Sequence, residues 1–155
     1  MAQTPQAGAA EPGTGEPNDL AGKWTYRSFH NNPQPVGDDA QKALALIFAE
    51  ATFTLTLPSG TTITGAIDWP GGGLDLKGTV QPGSGSEGPV VEMVGTGRPG
   101  TSTENWEHDY RGQQAHRWPN GVNQVPAITG TVIRAKPHGQ AKAGYVASFI
   151  AVKQQ

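Results

Sequence analysis

The sequence predicts an all-β protein: an eight-stranded up-and-down antiparallel β-barrel with one short helix after the first strand. Three observations carry this reading. The 22 glycines and 13 prolines among 155 residues punctuate the chain too often for a mostly helical bundle. After position 20 the apolar residues alternate with polar ones, the period of half-buried strands. Those runs number eight and are mostly joined by short turns, and about eight antiparallel strands close into a small barrel with room for side chains or one ligand. A β-sandwich is the competing architecture. At 16.2 kDa the chain is the size of one domain with one sizeable core.

Residues 1–18 contain no large apolar side chain apart from Met1, so they read as a flexible extension, with the barrel domain over residues 19–155. The first strand is expected at Lys23 to His30, stopped by Asn31, Asn32 and Pro33. Asp38 and Asp39 offer a helix N-cap, and Ala40 to Ala49 is the one stretch of good helix formers. Thr52 to Leu57 alternates strictly and turns at Pro58, Ser59 and Gly60 into a third strand, Thr61 to Trp69. Further strands follow at Leu74 to Val80, Val90 to Gly97, Thr103 to Arg111, Ala127 to Ala135 and Tyr145 to Val152.

Composition removes several functions. The formal net charge is −2 with no block of either sign, which argues against nucleic acid as a partner. No apolar run approaches a membrane span, so no membrane partner is expected. The absence of cysteine excludes a disulfide framework, a thiol nucleophile and thiolate metal sites, and fits either side of a bacterial membrane. With no basic start or apolar stretch to act as a secretory signal, a cytoplasmic location is expected, export with a signal removed being the alternative.

Alternation sorts the strand faces. Phe53, Leu55, Leu57, Ile63, Ile67, Trp69, Leu74, Leu76 and Val80 are expected inside as ordinary core, with threonines outside. The first and sixth strands differ, because their inward aromatic faces carry polar heads: Trp24, Tyr26, Ser28 and His30 on one, Trp106, His108 and Tyr110 on the other. A buried polar group left unsatisfied costs about 1–3 kcal/mol, so such groups are kept for a ligand, a water network or catalysis, or else simply bond one another near a barrel mouth.

Leu20, Ala21, Gly22, Lys23 and Trp24 at the start of the first strand resemble the Gly-x-Trp signature of the calycin barrels, shared by lipocalins and avidins. In those families the tryptophan plugs one end of the barrel against a late arginine, which implies a cation–π contact from Arg134 to Trp24. His108, Asp109 and Tyr110 are similar to the lipocalin Thr-Asp-Tyr signature. A lipocalin would place a helix after the last strand, whereas Gln155 follows it directly, which favours an avidin-like or unassigned calycin. Avidins hold biotin with a late aspartate. No acidic residue follows Asp109, so biotin binding is not implied.

Each candidate chemistry has a plainer reading beside it. His30, His108, His116 and His138 show no paired ligand spacing, so no metal is expected. Some calycin-like barrels bind haem through a late histidine, which would point to His138, but no second feature supports it. His138 is expected to be a solvated turn residue, and no cofactor is assigned. Glu104 is expected inside near His108, where a carboxylate would orient an imidazole. Glu107 and Asp109 should lie on the solvated face, within reach of Arg111 or Lys23. The connection from Gly112 to Val125 is long enough to be a lid, with Trp118 as its anchor, or to fold back on the barrel wall.

The expected function is binding of a hydrophobic or aromatic small molecule in the barrel cavity, with Trp24, Tyr26, Ser28, Trp106, His108, Tyr110 and Trp118 as the binding set. The alternative is an isomerase, cyclase or lyase type of enzyme on the same barrel, using His108 or His30 as acid or base and Tyr26 or Tyr110 as donor. A filled barrel serving only as an interaction module is a third reading. The last strand is apolar on both faces, through Ala147 and Phe149 on one side and Val146, Ile150 and Val152 on the other. It therefore needs a cover, expected to be a second copy in a two-fold dimer, or else the short helix with Leu44, Ile47 and Phe48.

Overall fold

A computed structural model describes residues 20–84 and 87–155. The expectation of a flexible extension over residues 1–18 lies outside the described residues. Eight strands follow one another as β1 (Gly22–Phe29), β2 (Ile47–Thr56), β3 (Thr62–Trp69), β4 (Gly72–Gln81), β5 (Val90–Gly97), β6 (Glu107–Gln114), β7 (Ala127–Arg134) and β8 (Val146–Lys153), with a helix α1 (Ala40–Leu44) after β1. Each strand pairs antiparallel with its sequence neighbours, and β1 also pairs with β8, with Tyr26 opposite Ala151. That last ladder closes the barrel and excludes the sandwich.

Inside, the alternation holds. Phe53, Leu55, Ile63, Ile67, Leu74, Leu76 and Val80 are buried, joined by Val91, Met93, Ile128, Val132, Ala147, Phe149 and Ala151. Large and small residues share each level. A Cβ on Gly112 would meet Ile128 Cγ2 at 2.7 Å and Phe149 Cζ at 2.9 Å, so glycine there makes room for its neighbours' side chains. At the end where β1 begins, Trp24 is fully buried and its indole N–H donates to the Leu20 carbonyl at 2.9 Å. Lys153 Nζ stands 5.7 Å from the Trp24 ring centroid. Lys153, not Arg134, is therefore the cation on the plugging tryptophan. Odd-numbered strands run the same way, so Arg134, at the end of β7, belongs to the opposite end of the barrel.

The helix is shorter than its composition implies. Asp39 does cap it, accepting from the Gln41 and Lys42 amides at 3.0 and 3.2 Å, but it ends at Leu44 and buries no residue. Ile47, Phe48 and Ala49 instead begin β2, where Ile47 pairs with Phe29. A packed ladder outweighs helix propensity in so short a segment. Strand β6 likewise starts late. The Thr101 hydroxyl turns back to the Arg98 carbonyl at 2.7 Å, and Asn105 takes a left-handed φ of 67°, so residues 101–105 form a turn. No described helix is long and apolar enough to cross a membrane.

Candidate ligand cavity

Four inward rings at mid-height, Tyr26 (β1), Phe53 (β2), Tyr110 (β6) and Phe149 (β8), pack edge to face or tilted, with centroids 4.8 to 6.1 Å apart. They divide the interior. Below them the core continues to Trp24; above them a cavity of about 410 Å³ opens at the end where β1 finishes. Tyr26 and Tyr110 face it from the floor. Phe48, Ala49, Glu50, Ile67, Trp69 and Pro70 line one side, and Trp106, His108, Arg134 and His138 the other.

The rim is built by turn chemistry. Gly97 leaves no room for a side chain, because a Cβ there would lie 1.6 Å from the Thr103 carbonyl oxygen. The buried Thr103 hydroxyl donates to the Gly73 carbonyl at 2.7 Å and Ser102 Oγ donates to the Gly71 carbonyl at 2.8 Å. Arg98 ties the same turn to β3 and β4 through Asp68 at 2.8 Å and Asp75 at 2.9 Å. This stitching sets Trp106 beside Trp69, centroids 6.2 Å apart. Across the rim, the turn of His138 to Ala141, with Gly139 at a φ of +56°, lays the His138 ring flat on Trp106 at 3.6 Å.

His108 Nε2 and His138 Nε2 then meet at 3.3 Å. Burial, followed by the charges of His138 and Arg134, lowers the His108 pKa to about 4. Burial and Arg134 also lower His138. Both imidazoles are thus neutral near pH 7. Burial raises the phenols of Tyr26 and Tyr110 well above their ordinary value, with the Ser28 hydroxyl opposing the rise at Tyr26. The wall is therefore largely aromatic, with uncharged phenols and imidazoles, one fixed cation, Arg134, and one carboxylate, Glu50, at its edge. Among the described residues no three side chains of His, Asp, Glu or Cys converge as a metal site.

No protein-family model matches this chain, and no curated protein does.

Of the residues singled out from sequence, Tyr26, Trp106, His108 and Tyr110 line one cavity. The others do not. Trp24 plugs the far end, below the aromatic layer. Ser28 is fully buried against the wall, next to the Tyr26 phenol, and does not line the cavity. His30 lies past the end of β1, behind Phe48, and its Nδ1 bonds the Tyr145 hydroxyl instead of facing the cavity. Trp118 is 70% exposed in the β6–β7 connection, which strand parity puts at the closed end, so it is no lid for this mouth. There Gln124 bridges the Trp118 backbone at 2.7 and 2.6 Å.

The acidic residues also differ from expectation. Glu104 is exposed in the turn and does not reach inward to His108. Glu107 pairs with Lys136 at 3.8 Å, and Arg111 pairs with Glu92. Asp109 Oδ1 is buried without a partner on the outer face, and burial followed by Glu107 raises its pKa. Sequence reasoning missed Phe48, Trp69, Arg134 and His138 as parts of this site. Parity would have found Arg134, which continues the inward series Ile128, Gly130 and Val132. His138 left no signal, since only the fold of its turn brings it onto Trp106.

Proposed function

We propose that this protein binds a small apolar or aromatic molecule in the cavity above the Tyr26, Phe53, Tyr110 and Phe149 layer. The observation that carries the reading is the combination of a closed barrel with an open, aromatic-walled space of about 410 Å³, inside the range of about 300–1,000 Å³ typical of ligand pockets. Trp69, Trp106 and Phe48 supply flat apolar surface, and Tyr26, His108 and Tyr110 supply the polar contacts that would orient the ligand. Kinship with the calycin barrels is part of this proposal. It is supported by the strand order and by Trp24 sealing one end under a cation.

Binding is favoured over catalysis by the state of the titratable groups. Phenols held well above their ordinary pKa are weak acids that keep their protons, and an imidazole titrating near 4 is a weak base at neutral pH. A dimer through the outer face of β8 belongs to the proposal too. Val146, Ile150 and Val152 there, and Ile133 opposite Val146 on β7, are each at least 36% exposed, and α1, with no buried residue, does not cover them.

The test uses N-phenyl-1-naphthylamine, a neutral fluorophore that brightens in apolar surroundings. It should bind saturably at one site per chain, and Trp106→Ala should weaken it about two- to tenfold, the value of one aromatic contact. Absence of saturable binding, or binding indifferent to Trp106→Ala, would overturn the proposal.

A further inference from the structure

We infer that the cavity takes an anion, an apolar or aromatic ligand whose carboxylate or sulfonate head pairs with Arg134. This rests on the binding reading above and names the class of ligand. Arg134 comes from the end of β7, and its guanidinium lies 5.7 Å from the Phe48 ring centroid and 5.4 Å from that of Tyr145. Its Nη1 donates to the Lys142 carbonyl at 3.0 Å, while its Nε is buried with no hydrogen-bond partner. Arg27, Arg98 and Arg111 each have a carboxylate within 4 Å, whereas Arg134, among the described residues, has none.

An arginine always carries its charge, and a guanidinium set among aromatic rings with donors to spare is a ready partner for a planar anion. Its surroundings favour the same chemistry. His108 and His138 are neutral beside it and do not add charge of their own. Tyr26 and Tyr110 retain their protons on the floor, so no phenolate competes for Arg134. One carboxylate, Glu50, lines the cavity from β2. Its side chain is 58% exposed and stands 3.9 Å from Arg27, so Arg27 and not Arg134 is its partner.

Two fluorophores sharing one ring system separate the claims: 8-anilinonaphthalene-1-sulfonate, which is anionic, and N-phenyl-1-naphthylamine, which is its neutral counterpart. Arg134→Gln should weaken the sulfonate about tenfold or more, the worth of a charge-assisted contact, and change the neutral amine far less. Arg134→Lys should recover part of the loss. In the unaltered protein, raising NaCl should weaken the sulfonate and not the amine, a readout that needs no variant to fold. Equal responses of both probes to Arg134→Gln and to salt would overturn the anion site while leaving the cavity reading intact. Binding of neither probe to the unaltered protein would overturn both.

Discussion

Acid should destabilise this fold through one buried imidazole. His108 has an ordinary pKa of 6.5 in the unfolded chain and about 4 in the folded one. Between those values the unfolded state binds more protons, so stability is full above pH 6.5 and falls as the pH drops toward 4. That difference corresponds to at most about 3–4 kcal/mol. At pH 4.5 the linkage leaves a loss of about 2–3 kcal/mol, and exchange with water through the open mouth reduces the expected figure to about 1–2 kcal/mol. Asp109, whose folded pKa is raised, works in the opposite direction at lower pH, where the folded state takes up the extra proton. Other carboxylates also titrate in this range, so the assay is a difference: urea unfolding of the unaltered protein and of His108→Gln at pH 7.5 and pH 4.5. The unaltered protein should lose about 1–2 kcal/mol more than the variant over that interval. Parallel losses in the two proteins would refute the assignment of a neutral, desolvated His108 to the cavity wall.

Three further outcomes follow from the geometry. Gly97→Ala places a methyl against the Thr103 carbonyl and should cost about 1–3 kcal/mol, read as a lower urea midpoint at unchanged slope. Thr103→Val removes the buried hydrogen bond to Gly73 that holds the Trp106 turn. It should cost about 1–2 kcal/mol and shift the tryptophan emission as Trp106 loosens from Trp69. Ile150→Asp should convert the proposed dimer to monomer in analytical ultracentrifugation, and a monomeric unaltered protein at high micromolar concentration would count against that interface.

The barrel was legible because its information is local and periodic. Residues such as Phe53, Leu55, Ile63 and Ile67 declare their face by alternation alone, and the turn residues separate one run from the next. Strand ends were less legible. Ile47 to Ala49 reads as helix by propensity and becomes strand because β1 offers it a ladder. The cavity was half visible: Tyr26, His108 and Tyr110 stand out as polar heads on an inward face. Trp118 and Arg134 were misplaced for a single reason, since both assignments to an end of the barrel ignored the direction of the strand that carries them. The contact between His138 and Trp106 depends on two turns folding toward each other, and no spacing in the chain encodes that.

The central claim, that a ligand sits between the aromatic layer and the Trp106–His138 rim, is tested most directly by mapping amide chemical shifts of isotopically labelled protein titrated with N-phenyl-1-naphthylamine. The account predicts shifts concentrated at Tyr26, at Phe48 to Glu50, at Trp106 to Tyr110 and at Arg134 to His138. Shifts centred on the β6–β7 connection around Trp118, or on the outer face of β8, would contradict it.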